Sequence, residues 1–151
     1  MPQILIDTNL LVLLAVGLTD RKYISKHKRL AAFDESDFDL LANYIDQSHG
    51  LLFCPNVLTE ASNLMRYVSE PMRTEISAYF ELMISRFGEE YVKSAEASED
   101  AAYRALGLTD AVLLTLAKKD AILLTADLEL YLEGARRGLP VINYNHMREA
   151  Q

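Results

Sequence analysis

Short apolar runs alternate with segments of helical periodicity along this chain, and the alternation predicts its architecture. Ile4-Leu5-Ile6 is the first run, followed by residues 51–54, a weak third at 91–92, then 121–125 and 139–143. The first, second and fourth are apolar on both faces, as strands buried between two helical layers should be. Helical patterns fill the gaps, over residues 10–18, 37–47, 56–68, 71–87, 99–106, 110–118 and 128–136. Strand followed by helix, repeated, predicts an α/β fold with a parallel sheet and right-handed crossovers. Pro55-Asn56 reads as a helix entry with Asn56 as N-cap, and Ser98 before Glu99 and Asp100 reads as another. Gly107 is placed to stop one helix while Thr109 caps the next.

No repeat, low-complexity tract or Pro/Gly linker divides the 151 residues, so residues 1–151 read as a single domain. The net charge of −7 argues against a simple basic clamp for nucleic acid, although bound metal would neutralise part of it. Cys54 is the one cysteine. It cannot close an internal disulfide, and after Leu51-Leu52-Phe53 it reads as a small core residue in a reducing compartment. The apolar stretch 10–16 is too short to span a bilayer. No Lys or Arg precedes Arg21 to form the positive region of a secretory signal. A cytoplasmic protein without membrane association is the expectation.

Four acids interrupt the apolar pattern. Asp7 and Asp127 follow apolar strands, at the carboxyl edge where open α/β sheets bind ligands. Glu60 lies three residues after Val57 and four before Leu64, which predicts an inward-facing carboxylate on a helical stripe. Asp110 opens a helix whose Leu113, Leu114 and Ala117 face the core. Taken singly, Asp7 and Asp127 could be turn or N-cap residues and Asp110 a first-turn helix residue. Together, without Lys or Arg beside them, they are costly. Two carboxylates about 4 Å apart repel by roughly 4 kcal/mol at an effective dielectric near 20. Mg²⁺ or Mn²⁺, hard cations that take carboxylate and water oxygens, would relieve this.

The same residues carry a resemblance. Asp7-Thr8-Asn9, Glu60 within Val57-Leu58-Thr59-Glu60, Gly107-Leu108-Thr109-Asp110-Ala111 and Thr125-Ala126-Asp127 resemble, in order and spacing, the four signature blocks of PIN-domain nucleases. The likeness spans residues 4–143 and is nearest to small prokaryotic members, including the toxin halves of VapC-type toxin–antitoxin pairs. It implies a five-stranded parallel sheet in the order 3-2-1-4-5 between helices. It also implies Mg²⁺- or Mn²⁺-dependent hydrolysis of RNA, less often DNA. Asp7, Glu60, Asp110 and Asp127 become the catalytic, metal-holding quartet, with Asn9 and Thr125 supporting it. A homodimer and an antitoxin protein are the partners the resemblance implies. The segment 19–50 is longer than the compact toxins usually have.

No Ser, Cys or His stands at a matching position, which argues against a covalent intermediate; direct attack by water, leaving a 5′-phosphate and a 3′-hydroxyl, is the outcome the resemblance implies. The densest basic stretch runs from Arg21 through Lys22, Lys26 and Lys28 to Arg29. A charge run is commonly just a solvated face. Here it is also the best candidate for phosphate contacts, with Tyr23 available to stack on a base. A haloacid-dehalogenase-type phosphatase needs an Asp where Asn9 stands, and a phospho-receiver domain needs a Lys after its last strand. The rival from another class is a PIN-like binding module, for nucleic acid or protein, with little catalysis.

Overall fold

In the computed structural model, which describes residues 1–151, the strand Gln3–Ile6 (β1) forms the centre of the sheet. It pairs in parallel with Leu51–Phe53 (β2) on one side and Ala121–Thr125 (β4) on the other. Gly88–Glu89 (β3) and Val141–Asn143 (β5) complete a five-stranded sheet, all parallel, in the order β3-β2-β1-β4-β5. The order that the resemblance implies is therefore the observed one. Switching direction at β1 places the carboxyl ends of β1, β2 and β4 side by side, which is where such sheets form a crevice.

The helices are Thr8–Thr19 (α1), Glu35–Asp46 (α2), Pro55–Met65 (α3), Met72–Arg86 (α4), Ser94–Ala97 (α5), Tyr103–Leu106 (α6), Leu108–Leu116 (α7), Leu128–Arg136 (α8) and Tyr144–Glu149 (α9). Residues 10–17 of α1 are all buried, because Leu10-Leu11-Val12-Leu13-Leu14-Ala15-Val16 is apolar around the whole helix. One hydrophobic core extends from Ile4 to Tyr144 across both faces of the sheet.

Several expectations shift. The third strand lies at Gly88–Glu89, not at residues 91–92, and is recognisable only through its pairing with Leu52 and Phe53. Cys54, not Asn56, is the N-cap of α3, with Pro55 in the first turn. The helix expected over 99–106 is shortened to α6 at Tyr103–Leu106 after a turn, and the short helix Ser94–Ala97 precedes it, so Ser98 ends a helix where it was expected to start one. Gly107 serves both helices, as C-cap of α6 and N-cap of α7, at φ 93°, a backbone state that a side chain would resist. Thr109 therefore sits inside α7.

The long segment after α1 is ordered by polar clips. Asp20 caps a 3-10 turn at Arg21–Lys26, and His27 caps a second at Lys28–Leu30. His27 is buried. Its Nδ1 accepts from the Arg29 amide at 3.2 Å, and Nε2 lies 3.0 Å from the Met65 carbonyl, so one neutral tautomer satisfies both. At the other end, Tyr144 donates to Asp37 Oδ1 at 2.8 Å and Arg148 donates to Oδ2 at 2.9 Å, fastening α9 to α2. No helix is long and apolar enough to cross a membrane.

Candidate active site

Asp7 ends β1 and caps α1, its Oδ1 accepting from the Thr8 amide at 2.7 Å. Its Oδ2 accepts from the hydroxyl of Thr125 at 2.6 Å. Thr125, the last residue of β4, is fully buried, and the same oxygen accepts the Asp127 amide at 2.9 Å. Asp127 is an exposed N-cap of α8, its Oδ1 accepting from the Leu130 amide at 3.2 Å. The turn and N-cap readings of Asp7 and Asp127 are thus correct. They are compatible with a site role, because each carboxylate keeps lone pairs to spare.

Asp110 lies in the first turn of α7 and makes no hydrogen bond through its side chain. Burial, followed by the charges of Asp7, Asp127, Glu60 and Glu129, pushes its carboxyl up to about 7. Burial also raises Asp7. The Thr125 and Thr8 hydrogen bonds oppose this shift, while the charges of Asp127 and Glu60 reinforce it. Every charge acting on these two groups is another carboxylate. Asp7 and Asp110 therefore both lie in the fields of Asp127 and Glu60, and Glu129 of α8 also acts on Asp110.

Glu60 departs from expectation. It is exposed, and its Oε2 accepts from the hydroxyl of Thr109. The buried face of α3 is formed by Val57, Leu58, Ala61 and Met65. At about 100° per residue, Glu60 lies roughly 115° from the centre of that face. It borders instead an open pocket of about 420 Å³ that includes Asn56, Thr59, Tyr91, Ser94 and Thr109. Asn9 is likewise exposed, and its side chain holds none of the acids.

As a donor set, three Asp and one Glu match Mg²⁺ or Mn²⁺. Thr8 Oγ1, beside Asp7, is the one buried side-chain polar atom without a partner. Yet no three His, Cys, Asp or Glu side chains stand together in ligating geometry. The Glu60 carboxylate is bonded to Thr109 and the Asp7 carboxylate to Thr125, which leaves each with a further lone pair.

Two supporting groups escaped sequence reasoning. Asn143 is buried at the end of β5, in register with Thr125, and caps α9. Asn145 donates to the Ala126 carbonyl at 3.2 Å, bracing the turn before Asp127. Asn143 follows Val141-Ile142 just as Asp7 and Asp127 follow their strands, so the signal was present.

The basic segment divides. Arg21 pairs with Glu35 and Asp39, while Tyr23 donates its hydroxyl to Glu75. Lys22, Lys26, Lys28 and Arg29 are exposed and make no ion pair. Comparison with protein-family models, with characterised proteins and with solved structures finds no match to this chain.

Proposed function

We propose that this chain is a divalent-metal-dependent nuclease that hydrolyses phosphodiester bonds, with RNA the favoured substrate over DNA. One observation carries the reading: Asp7 closes β1 and Asp110 opens α7, both held away from water, and the charges that act on both come from Asp127 and Glu60, with no cation among them. Such an arrangement is stable as charge only with a compensating cation.

In this reading the four carboxylates hold Mg²⁺ or Mn²⁺. Such an ion would supply water activation and charge compensation at the phosphate. The chain itself orients the donors. Thr125 fixes Asp7, the Asp127 amide fixes Thr125, and Thr109 holds Glu60 at the rim. Lys22, Lys26, Lys28 and Arg29 supply phosphate contacts, with Arg21 contributing once released from its acidic partners. The resemblance to PIN-domain toxins extends the reading to a homodimer and an antitoxin partner.

The test is incubation of purified protein with single-stranded and structured RNA in Mn²⁺ and in EDTA. Cleavage in Mn²⁺ alone, lost in Asp110→Ala, supports the proposal. A protein inactive on every RNA and DNA tried, with Mn²⁺ present, supports the binding-module rival.

A further inference from the structure

The C-terminal end of α3 carries an aromatic and basic patch that the carboxylate edge does not use. Tyr67 is 54% exposed. The Arg29 guanidinium lies 4.5 Å from its ring centroid, so Arg29 covers part of the ring. Lys26 and Lys28 line a shallow cavity of about 320 Å³ with Tyr67, Val68 and Ser69. Asn63 and Arg66 line a second depression with Tyr67.

The patch is built by the fold. The contact between His27 and the Met65 carbonyl, at 3.0 Å, clips the basic 3-10 segment onto the end of α3. Lys26, Lys28, Arg29 and Arg66 make no ion pair; Lys22, Arg86, Lys93, Arg104 and Lys119 are also unpaired, but these four are the ones gathered beside Tyr67. In a chain of net charge −7, acids to neutralise them are plentiful, yet this surface leaves Lys26, Lys28 and Arg66 without an acidic partner beside one aromatic ring on which Arg29 is stacked.

We infer that this surface is a docking track for single-stranded nucleic acid, with a base stacked on Tyr67 and phosphates on Lys26, Lys28 and Arg66. Aromatic stacking combined with a basic groove is the chemistry that binds single strands without sequence preference. Glu60, Asn63 and Tyr67 are all exposed along α3 and its first following turn. At about 1.5 Å per residue the seven positions from Glu60 to Tyr67 span about 10 Å. A stacked strand rises about 3.4 Å per nucleotide, so about three nucleotides connect the patch to the carboxylates. The inference rests on the nuclease reading for this direction. Tyr67 replaces Tyr23 as the stacking residue, because the Tyr23 hydroxyl is engaged by Glu75.

Binding of a labelled 12-mer oligouridine to the full chain, in EDTA so that cleavage does not proceed, tests this at several salt concentrations. Tyr67→Ala is expected to weaken binding about 5- to 150-fold, the loss of one stacked base, while Tyr67→Phe retains it. Replacing Lys26 and Lys28 with Ala is expected to flatten the logarithmic salt slope by about 1.4, at about 0.7 per phosphate contact on single strands. Unchanged affinity in Tyr67→Ala overturns the track, as does an unchanged salt slope in the lysine variant. Tighter binding to phosphatidylserine vesicles than to the RNA also overturns it. Cleavage in Mn²⁺ is scored separately. Cleavage with no effect of Tyr67→Ala on binding removes the track and leaves the chemistry, and the reverse result leaves the track and removes the nuclease reading.

Discussion

Thr125 holds Asp7 across the β4–β1 strand pair, donating its hydroxyl to Oδ2 at 2.6 Å while accepting the Asp127 amide at 2.9 Å. One buried oxygen thus sets the positions of two of the four acids. Thr125→Val keeps the shape and removes both bonds. It is expected to cost about 1–3 kcal/mol of stability, the usual penalty for stranding polar groups. Cleavage is expected to drop about 10- to 100-fold, the range typical of groups that orient metal ligands. Thr125→Ser should recover most of both, as denaturant titrations and initial rates would show. A Val variant as active as the parent would mean that Asp7 needs no orienting.

Without added metal the stability should depend on pH in a direction unusual for carboxylates. Asp110 sits at about 7 instead of 3.8, so from about pH 4 to pH 7 the folded protein keeps a proton the unfolded chain has released. Stability therefore falls as pH rises through that window. Asp7, raised mainly by burial, acts in the same direction. Asp100, held near 2 by Arg137, and Glu133, held near 2 by Arg136 and Arg137, act oppositely. Their contribution is present above about pH 4 and is lost as pH falls toward 2. A metal-free optimum near pH 4–5 follows, and Asp110→Asn should flatten the decline above it. Melting temperatures that climb steadily from pH 5 to pH 8 in EDTA would contradict this.

Metal should act as a stabilising ligand. A ligand bound only by the folded state adds roughly 2.7 kcal/mol at a hundredfold excess over Kd. Mn²⁺ is expected to raise the melting temperature, and Asp7→Asn to blunt the response. In EDTA the variant removes a charge from an uncompensated group while disturbing the Thr125 bond, so the shift on adding Mn²⁺ is the readout. Identical melting curves with and without millimolar Mn²⁺ would count heavily against the site.

Packing around the first helix gives a test independent of chemistry. Gly17 lies inside α1, where Ala is favoured by about 1 kcal/mol on propensity. A Cβ there would run into the Phe38 ring of α2, which is itself buried. Overpacking typically costs about 1–3 kcal/mol, so Gly17→Ala should destabilise despite the propensity gain. Greater stability in thermal melts would show that Phe38 yields freely.

The central sheet and the placing of Asp7, Asp110 and Asp127 at the ends of their elements were legible because their signals are local. Ile4-Leu5-Ile6 and Ala121–Thr125 read as buried strands on both faces, and the acid after each marks the strand end. What failed depended on contacts distant in sequence. Gly88–Glu89 has no strand signal of its own and is extended by its pairing with β2. Glu60 looked inward when its spacing was measured from Val57 and Leu64. Leu64 proves only half-buried, and the core face turns toward Leu58, Ala61 and Met65. The basic run could not reveal that Arg21 would find Asp39 or that His27 would reach Met65.

Product-end analysis tests the central claim most directly. RNA cut by the purified protein in Mn²⁺ should carry a 5′-phosphate and a 3′-hydroxyl. Cleavage should vanish in EDTA and in Asp7→Ala or Asp110→Ala, and should survive replacement of His27, His49 and His146 wherever the fold is retained. Cleavage at full rate in EDTA, leaving cyclic phosphates, would contradict the metal-dependent account.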